Sequence, residues 1–541
     1  VKPKRTLLST IPVLLYLFLA AAGYACRPAP LELANEVITP TEMVTVAPPS
    51  ATSTPHNTAT PVPPSPTPTA TPMPTATPQP VTLNVPPQWE ALVKEALNGT
   101  GRTPETRFDW QVIVDEESSA GDSHLALMRG EGGLIVREDP LAFSVPFTTT
   151  WEAISAADAE AILANGHSLV RVIPWSEMDR TNKALRVDGR HPTDAGYPYH
   201  ERWSLVAAPG YEAAAAELGP ILQTALAPLP AIRLAAVGDL MLGRTQGEIM
   251  LSTGDLLYPF ANVKAFFDDA DYVTGNLESA LGDIGEPANK RYPLRSPAEA
   301  AQSLALAGVD LVSLANNHAQ DYGPESLLHG IELLHEAGVA TVGGGANDAA
   351  AHAPHIADIH GLKVAFLGYV HVPIEALTDF DTQSWSATAD TPGLAWADPE
   401  RIKADVAAVR PDVDLVVVHL HSGYEYIEEP SEPQVAAARA AVDAGADLVI
   451  GHHAHILQGI HNYRDGVIAY GLGNFVFNID GPPETAILNV WLDQNGVRQM
   501  EIIPAIVQQY GQPRLADYSE AGPILSRVYY LSTLLNATPV D

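Results

Sequence analysis

Cysteine occurs once in the 541 residues, at Cys26. That excludes an intrachain disulfide, a thiolate zinc site and a cysteine nucleophile within the folded region. Positive charge is scarce as well: 30 Lys and Arg stand against 64 Asp and Glu, for a formal charge of −34. No broad basic surface can be assembled from so few cations, which argues against nucleic acid as a partner. An anionic substrate stays open, because a local group of Arg, Lys or metal can reverse the field. There is no serine nucleophile elbow, no Walker loop and no dinucleotide-binding GxGxxG. Gly343–Gly345 follow Thr341 and Val342 and read as a turn. Charge of either sign is missing between Glu42 and Glu90. Residues 27–85, rich in Pro, Thr and Ala, cannot bury a core and are expected to form a disordered, partly polyproline II linker. At about 3.1 Å per residue such a spacer reaches on the order of 100 Å or more.

The first 26 residues have the order of a secretory signal. Lys2, Lys4 and Arg5 precede an apolar stretch from Leu7 to Ala22 that is short for a membrane span. Small residues then lead to Cys26. This resembles a bacterial lipoprotein signal, which implies lipidation at Cys26 and anchoring on the outer face of the cytoplasmic membrane. Gly23 and Tyr24 depart from the favoured residues, so plain secretion or an uncleaved anchor is the alternative.

Beyond the linker, composition becomes globular. Residues 86–230 mix helical patterns (QWEALVKEAL, AADAEAILANG, YEAAAAELGPILQTAL) with strand-like runs (FDWQVIVD, HLALMRG, GLIVRE, LAFSVPF, RWSLVAA). A small α/β accessory domain is expected, loosely resembling part of a solute-binding domain. Residues 231–505 alternate short β-branched strands with Ala- and Leu-rich helices, the pattern of an α/β sheet core. Strands without intervening helices follow (GVIAYGLG, TAILNVWLD, VRQMEIIPA), and these are expected to pair antiparallel in a mixed sheet. Residues 506–541 read as a tail with a modest helical pattern.

Five apolar strands from Arg233 onward each end in a polar cluster. These hold Asp239; Asn276 and Glu278; Asn316, Asn317 and His318; His419, His421 and Glu425; and His452, His453 and His455. In an α/β sheet the carboxyl ends of strands meet at one edge, so five clusters predict one composite site. Its Asp, Glu, Asn and His donors suit one or two divalent cations bound through N and O. Taken singly, Asp239 also reads as a turn residue, and either His419 or His421 as a satisfied core histidine, since two residues apart in a strand share a face. Asn317 as ligand beside His318 as proton donor would suit hydrolysis of a phosphate-like ester. His452 is placed with these two near the chemistry. Arg244, on the loop after Asp239, could meet an anion bidentately. Glu425 is placed on the substrate side.

The motifs GDLMLGR, GNLES, KRYPLRSP, LANNHAQDYG, HSGYEY, GHHAHILQG and YGLGNFVFN run in order from Arg233 to about Ile479, roughly half the chain. In them the chain resembles the CapA family of bacterial poly-γ-glutamate capsule proteins. That resemblance implies a calcineurin-like metallophosphoesterase fold, a four-layered α/β/β/α sandwich. It also implies ligation of divalent metal (Mn, Zn, Fe or Mg) by Asp239, Glu278, Asn317, His421, His453 and His455, with His318 near the reacting bond. Lys290, Arg291 and Arg295 match the family's basic stretch and are expected to hold an anionic substrate, an envelope polymer or its precursor. One departure stands out. The wider phosphoesterase group begins its first motif with Asp-x-His, whereas Leu240 and Met241 follow Asp239 here. A non-catalytic polymer-binding or assembly factor is therefore the alternative to a hydrolase or transferase.

Overall fold

The computed structural model describes residues 77–99, 107–115, 123–375, 380–478 and 481–537. Cys26, the signal-like segment and most of the linker lie outside the described residues. Order begins earlier than composition implies: Gln79–Val85, inside the expected linker, forms β1. Its alternate residues Val81, Leu83 and Val85 are fully buried, so a few apolar positions suffice once a partner sheet exists.

β1 joins β2 (Phe108–Val114), β3 (Leu125–Arg129), β4 (Leu134–Pro146), β5 (Arg171–Pro174), β6 (Asn182–Ala184) and β7 (His200–Ala207). Their order is β2-β1-β3-β7-β4-β5, with β6 paired to β4. The two strand-like runs GLIVRE and LAFSVPF are thus one 13-residue strand. Helices Glu90–Gly99 and Glu212–Ala225 pack on this sheet.

Two further sheets make up the larger part. One runs β11 (Ala340–Val342), β10 (Leu311–Ser313), β9 (Tyr272–Leu277), β8 (Ile232–Leu240), β19 (Glu484–Asp493), β20 (Gly496–Val507) and β21 (Pro513–Leu515), with β18 (Asn474–Val476) paired to β8. The other runs β12 (His355–Ile359), β13 (Leu362–His371), β14 (Leu415–Ser422), β15 (Leu448–His452), β17 (Gly466–Ala469) and β16 (Ile460–Tyr463). β8 to β11 pair parallel, and β19 to β21 add antiparallel strands. β17, expected to pair antiparallel, does so with β16 but runs parallel to β15.

One apolar cluster joins the facing sides of these sheets: Leu234, Ala236, Tyr272 and Leu311 meet Phe366, Leu415, Val417 and Ile450. The outer sides carry helices. Helix Glu299–Ala307 covers the first sheet, and helices Pro399–Val409 and Glu432–Asp443 cover the second. The pleat sorts β14 accordingly. Leu415 and Val417 face the other sheet, whereas Val416, Val418 and Leu420 face helices. The expected tail is also folded: β21 pairs with β20, and helix Tyr518–Asn536 buries Leu525, Val528 and Tyr529 in the inter-sheet core. Its helical period was weak in sequence because Pro523 and several polar residues interrupt it. No helix among the described residues is long and apolar enough to cross a membrane.

The unit built on β1–β7 is fastened to β19 and β20 by polar contacts. Arg186 bonds both carboxylate oxygens of Glu501 at 2.8 and 2.9 Å. His191 stacks on Trp491, 4.1 Å between ring centres, and meets the Gln499 amide at 3.1 Å. Burial pushes His191 down to about 4, against the opposing pull of Glu501. A histidine in an unfolded chain takes its proton near 6.5, so the unfolded state gains protons first as pH falls. His191 therefore contributes stability above pH 6.5 that declines between pH 6.5 and 4, in total roughly 3 kcal/mol. Urea titrations across pH 4–7 should show that slope, and H191F, which keeps a stacking ring, should flatten it. Parallel curves for the two proteins would remove His191 as the cause.

Candidate metal centre

The polar residues continue the faces that build the inter-sheet core. In β9, Tyr272 faces the second sheet, and Thr274, Asn276 and Glu278 follow it at a spacing of two. In β14, His419 and His421 follow Leu415 and Val417; in β15, His452 follows Leu448 and Ile450. The space between the sheets thus changes from apolar to polar at the strands' carboxyl ends. Asp239 is an exception in phase. Leu234 and Ala236 face the second sheet, so strict alternation would turn residue 239 to the helix side. The β8–β9 register shifts between Ala236 and Asp239, and the carboxylate turns inward. Gly238 permits this, because a Cβ there would lie 1.8 Å from the Gly473 carbonyl oxygen.

His453 and His455 leave β15 in a loop where both have left-handed backbone, φ 84° and 57°. Such conformations cost on the order of 1–3 kcal/mol each in a non-glycine residue. Here they aim two imidazoles at one spot. Ligand atoms of Glu278, His453 and His455 lie within 4.8 Å of one another, and so do those of Asp239, Glu278 and His421. Glu278 is common to both sets. Asp239 Oδ2 lies 3.3 Å from His455 Nδ1, and Glu278 Oε1 lies 3.7 Å from His455 Nε2 and 3.9 Å from His421 Nε2.

Hydrogen bonds lock the surroundings. The Asn276 amide donates to Asp239 Oδ1 at 2.9 Å and meets His421 Nδ1 at 3.2 Å. Asn316 donates to Asn276 Oδ1 at 3.0 Å. Asn276 and Asn316 therefore brace the site through their amide groups, a role their sequence neighbourhood did not show. Asn317 Oδ1 lies 2.8 Å from His421 Nε2, and its amide donates to Glu375 at 3.0 Å. His455 Nδ1 is 2.8 Å from Asn474 Oδ1.

Buried electrostatics set the protonation. Burial raises the Glu278 carboxyl well above its usual range, and Asp239 beside it adds to the effect. Burial works the same way on Asp239, but the imidazoles of His452 and His455, 3.4 and 3.3 Å away, outweigh it and hold that carboxyl low. Burial pushes His453 down to about 3, with His455 adding repulsion. His455 is lifted to about 10, because Glu278 and Asp239 overcome its burial.

The residues fit a divalent cation on one further observation. Both oxygens of Glu278 and Nδ1 of His453 are buried and hydrogen-bond to none of the described residues. Buried polar atoms left without partners are costly. A cation among them would satisfy all three, and mixed N and O donors suit the borderline metals.

Beside this cluster, His318 Nδ1 is 2.6 Å from Asp321 Oδ2. Asp321 is fully buried and pairs with Lys290 at 2.6 Å. Lys290 also pairs with Glu375 at 2.5 Å and donates to the Asn317 carbonyl oxygen at 2.5 Å.

This corrects the expectation for the basic stretch. The Lys290 side chain is entirely buried and engaged, so it is not an open anion receptor. Arg295 lies over the Tyr322 ring at 3.4 Å and donates to the carbonyls of Ile284 and Gly285. Its fork is used on its own loop, where the carbonyls accept what a substrate would have received. Arg291 is exposed over Tyr292, 5.1 Å from the ring centre. Arg244 is exposed and donates to the Asn478 carbonyl at 3.3 Å. Glu425 is exposed, close enough to Glu278 and His455 to act on both electrostatically.

Comparison with known proteins bears on the same region. The profile of the family described as bacterial capsule synthesis protein PGA_cap matches residues 233–479. The chain is similar to the capsule biosynthesis protein CapA of Bacillus anthracis, 33% identical over 293 residues, covering 52% of this chain and 69% of that one. It is similar to the PGA biosynthesis protein CapA of Bacillus subtilis (strain 168), 31% identical over 280 residues, covering 50% of this chain and 71% of the relative. Among solved structures, TT1561 of Thermus thermophilus matches 50% of this chain and 98% of its own length, at 12% identity and a TM-score of 0.27.

Proposed function

The chain belongs to the family of bacterial capsule synthesis proteins that includes CapA, and from that premise we propose that it is a metal-dependent hydrolase or transferase acting on an anionic envelope polymer, poly-γ-glutamate or a precursor of it. The observation that carries this reading is Glu278: a buried carboxylate, orphaned on both oxygens, shared by two sets of potential ligands. Asp239, Glu278 and His421 would hold one divalent ion, and Glu278, His453 and His455 a second, with Asn317 beside His421. When bound, such ions polarise the bond under attack and lower the pKa of water.

The chain's own residues supply the rest. His318 donates a proton to the leaving group from Nε2, which hydrogen-bonds to none of the described residues. Asp321 holds the ring from Nδ1, and Lys290 fixes Asp321 in turn. The cluster residues Asp239, Glu278, His421, His453 and His455 are each no more than 6% exposed, which keeps bulk water from weakening these interactions. Arg244 and Arg291, being exposed, would be cations open to an anionic chain. The protein would act outside the cytoplasmic membrane, anchored through a lipid on Cys26, and C26A should release it from membranes.

The test is metal analysis of the full chain together with turnover of synthetic phosphate esters and of poly-γ-glutamate. Metal-loaded protein should be active and chelated protein inactive, and H318N should lower turnover about 100-fold or more while keeping its metal. Equal activity with and without metal overturns the enzyme reading. Met241, fully buried where the wider group carries a ligand histidine, favours the alternative of a polymer-binding assembly factor. Polymer binding without turnover in metal-loaded protein would establish that alternative.

A further inference from the structure

Three buried side chains lie between the metal-competent cluster and the apolar inter-sheet core: Thr274 on β9, His419 on β14 and His452 on β15. They are 0%, 0% and 2% exposed. Thr274 Oγ1 is 2.9 Å from His419 Nε2. His419 Nδ1 is 3.0 Å from His452 Nε2, and the two rings stack at 5.3 Å with 7° between their planes. His452 Nδ1 then faces Asp239 Oδ1 at 3.4 Å, long for a hydrogen bond. The line is continuous from hydroxyl to carboxylate.

A count of protons gives the line a direction. A neutral imidazole has one N–H and one lone pair, and a threonine hydroxyl has one proton to give. Suppose His452 donated from Nε2 to His419, and His419 from Nε2 to Thr274. The hydroxyl proton would then have no acceptor among the described residues, and a bare lone pair of His452 would face a carboxylate oxygen. Both are penalised in a buried site. Run the other way, the hydroxyl donates to His419 Nε2, His419 Nδ1–H donates to His452 Nε2, and His452 Nδ1–H points at Asp239. Each proton has an acceptor or a negative charge before it.

We propose that Thr274 and His419 are positioning residues of the metal centre, setting the tautomer of His452 so that its Nδ1–H orients the Asp239 carboxylate. This rests on the reading that the cluster holds a divalent ion. His452 then acts through Asp239, in place of the direct part in the chemistry expected from its neighbours His453 and His455. The relay leaves Asp239 Oδ1 held by Asn276 on one side and His452 on the other, with Oδ2 toward His455. Partners of this outer kind are worth 10–100-fold in metal affinity where they have been removed.

The test combines two measurements on the full chain. Nitrogen-15 NMR of the imidazoles in metal-free wild-type protein should find His419 and His452 both protonated at Nδ1. T274V keeps the shape of the side chain and removes the hydroxyl; T274A removes it with less crowding and serves if T274V folds poorly. Either should mix the tautomers and weaken Mn²⁺ or Zn²⁺ binding 10–100-fold in chelator competition, and T274S should restore both. Protonation at Nε2 in the wild type, or wild-type affinity in T274V and T274A, overturns the relay alone. Wild-type protein that binds neither ion overturns the metal reading, and the relay's purpose with it.

Discussion

Replacing Glu278 by glutamine is expected to remove metal from both ligand sets at once. Wild-type protein should bind two divalent ions, H421Q and H453Q one each, and E278Q none, because only Glu278 belongs to both sets. The amide keeps the size of the side chain and loses the charge, so the loss would come from coordination and not from packing. In E278Q the affinity should fall more than 100-fold at either set, and turnover should drop to background. Plasma emission gives the stoichiometry. Thermal denaturation gives a second readout, since a ligand held only by the native state adds about 2.7 kcal/mol at a hundred times its Kd. Wild-type protein should show that gain with added metal and E278Q should not. A full gain in E278Q would mean that Glu278 ligates nothing.

Lys290→Met should destabilise the fold by about 3–5 kcal/mol, the cost of leaving a buried carboxylate without its cation. The Lys290 side chain is wholly buried between Asp321 and Glu375, with its ammonium 5.0 Å from the centre of the Trp385 ring. Asp321 has no exposure, and on losing Lys290 its carboxylate keeps, among the described residues, only the Leu294 backbone N–H at 2.6 Å and His318. The next residue, Arg291, is exposed over Tyr292 and is not placed to replace it. Denaturant titration measures the loss. The double variant K290M/D321N should recover a good part of it, because the orphaned charge is removed along with its partner. A loss below about 1 kcal/mol would make Lys290 an ordinary solvated charge, and its place behind the His318–Asp321 pair would then mean nothing.

Legibility in the sequence followed the range of the physics involved. Strands and their faces are local: the pleat alternates every residue, so Glu278, His421 and His452 could be assigned to one surface from the apolar residues that precede them. The α/β rhythm and the capsule-family motifs are likewise written in runs of a few residues. Interruptions of local rules were not legible. Asp239 reaches the site through a register shift in β8, and His453 and His455 through left-handed backbone that neither residue prefers. The C-terminal helix showed only a modest pattern in sequence, because its stability comes from the inter-sheet core it covers and not from its own periodicity. The basic stretch misled for a related reason. Composition shows that cations are present, but not whether they point to solvent, to a carbonyl or into a buried acid pair.

What this chain's sequence determined by itself is the kind of donor at the end of each strand, because side-chain direction along a strand needs only the neighbouring residues. Which donors share an ion, which histidine only orients another, and which lysine is buried were decided by tertiary structure. Those outcomes depend on distances between strands tens to hundreds of residues apart, as with the 3.3 Å that separates Asp239 from His455, and on the cost of leaving any polar atom between two sheets without a partner.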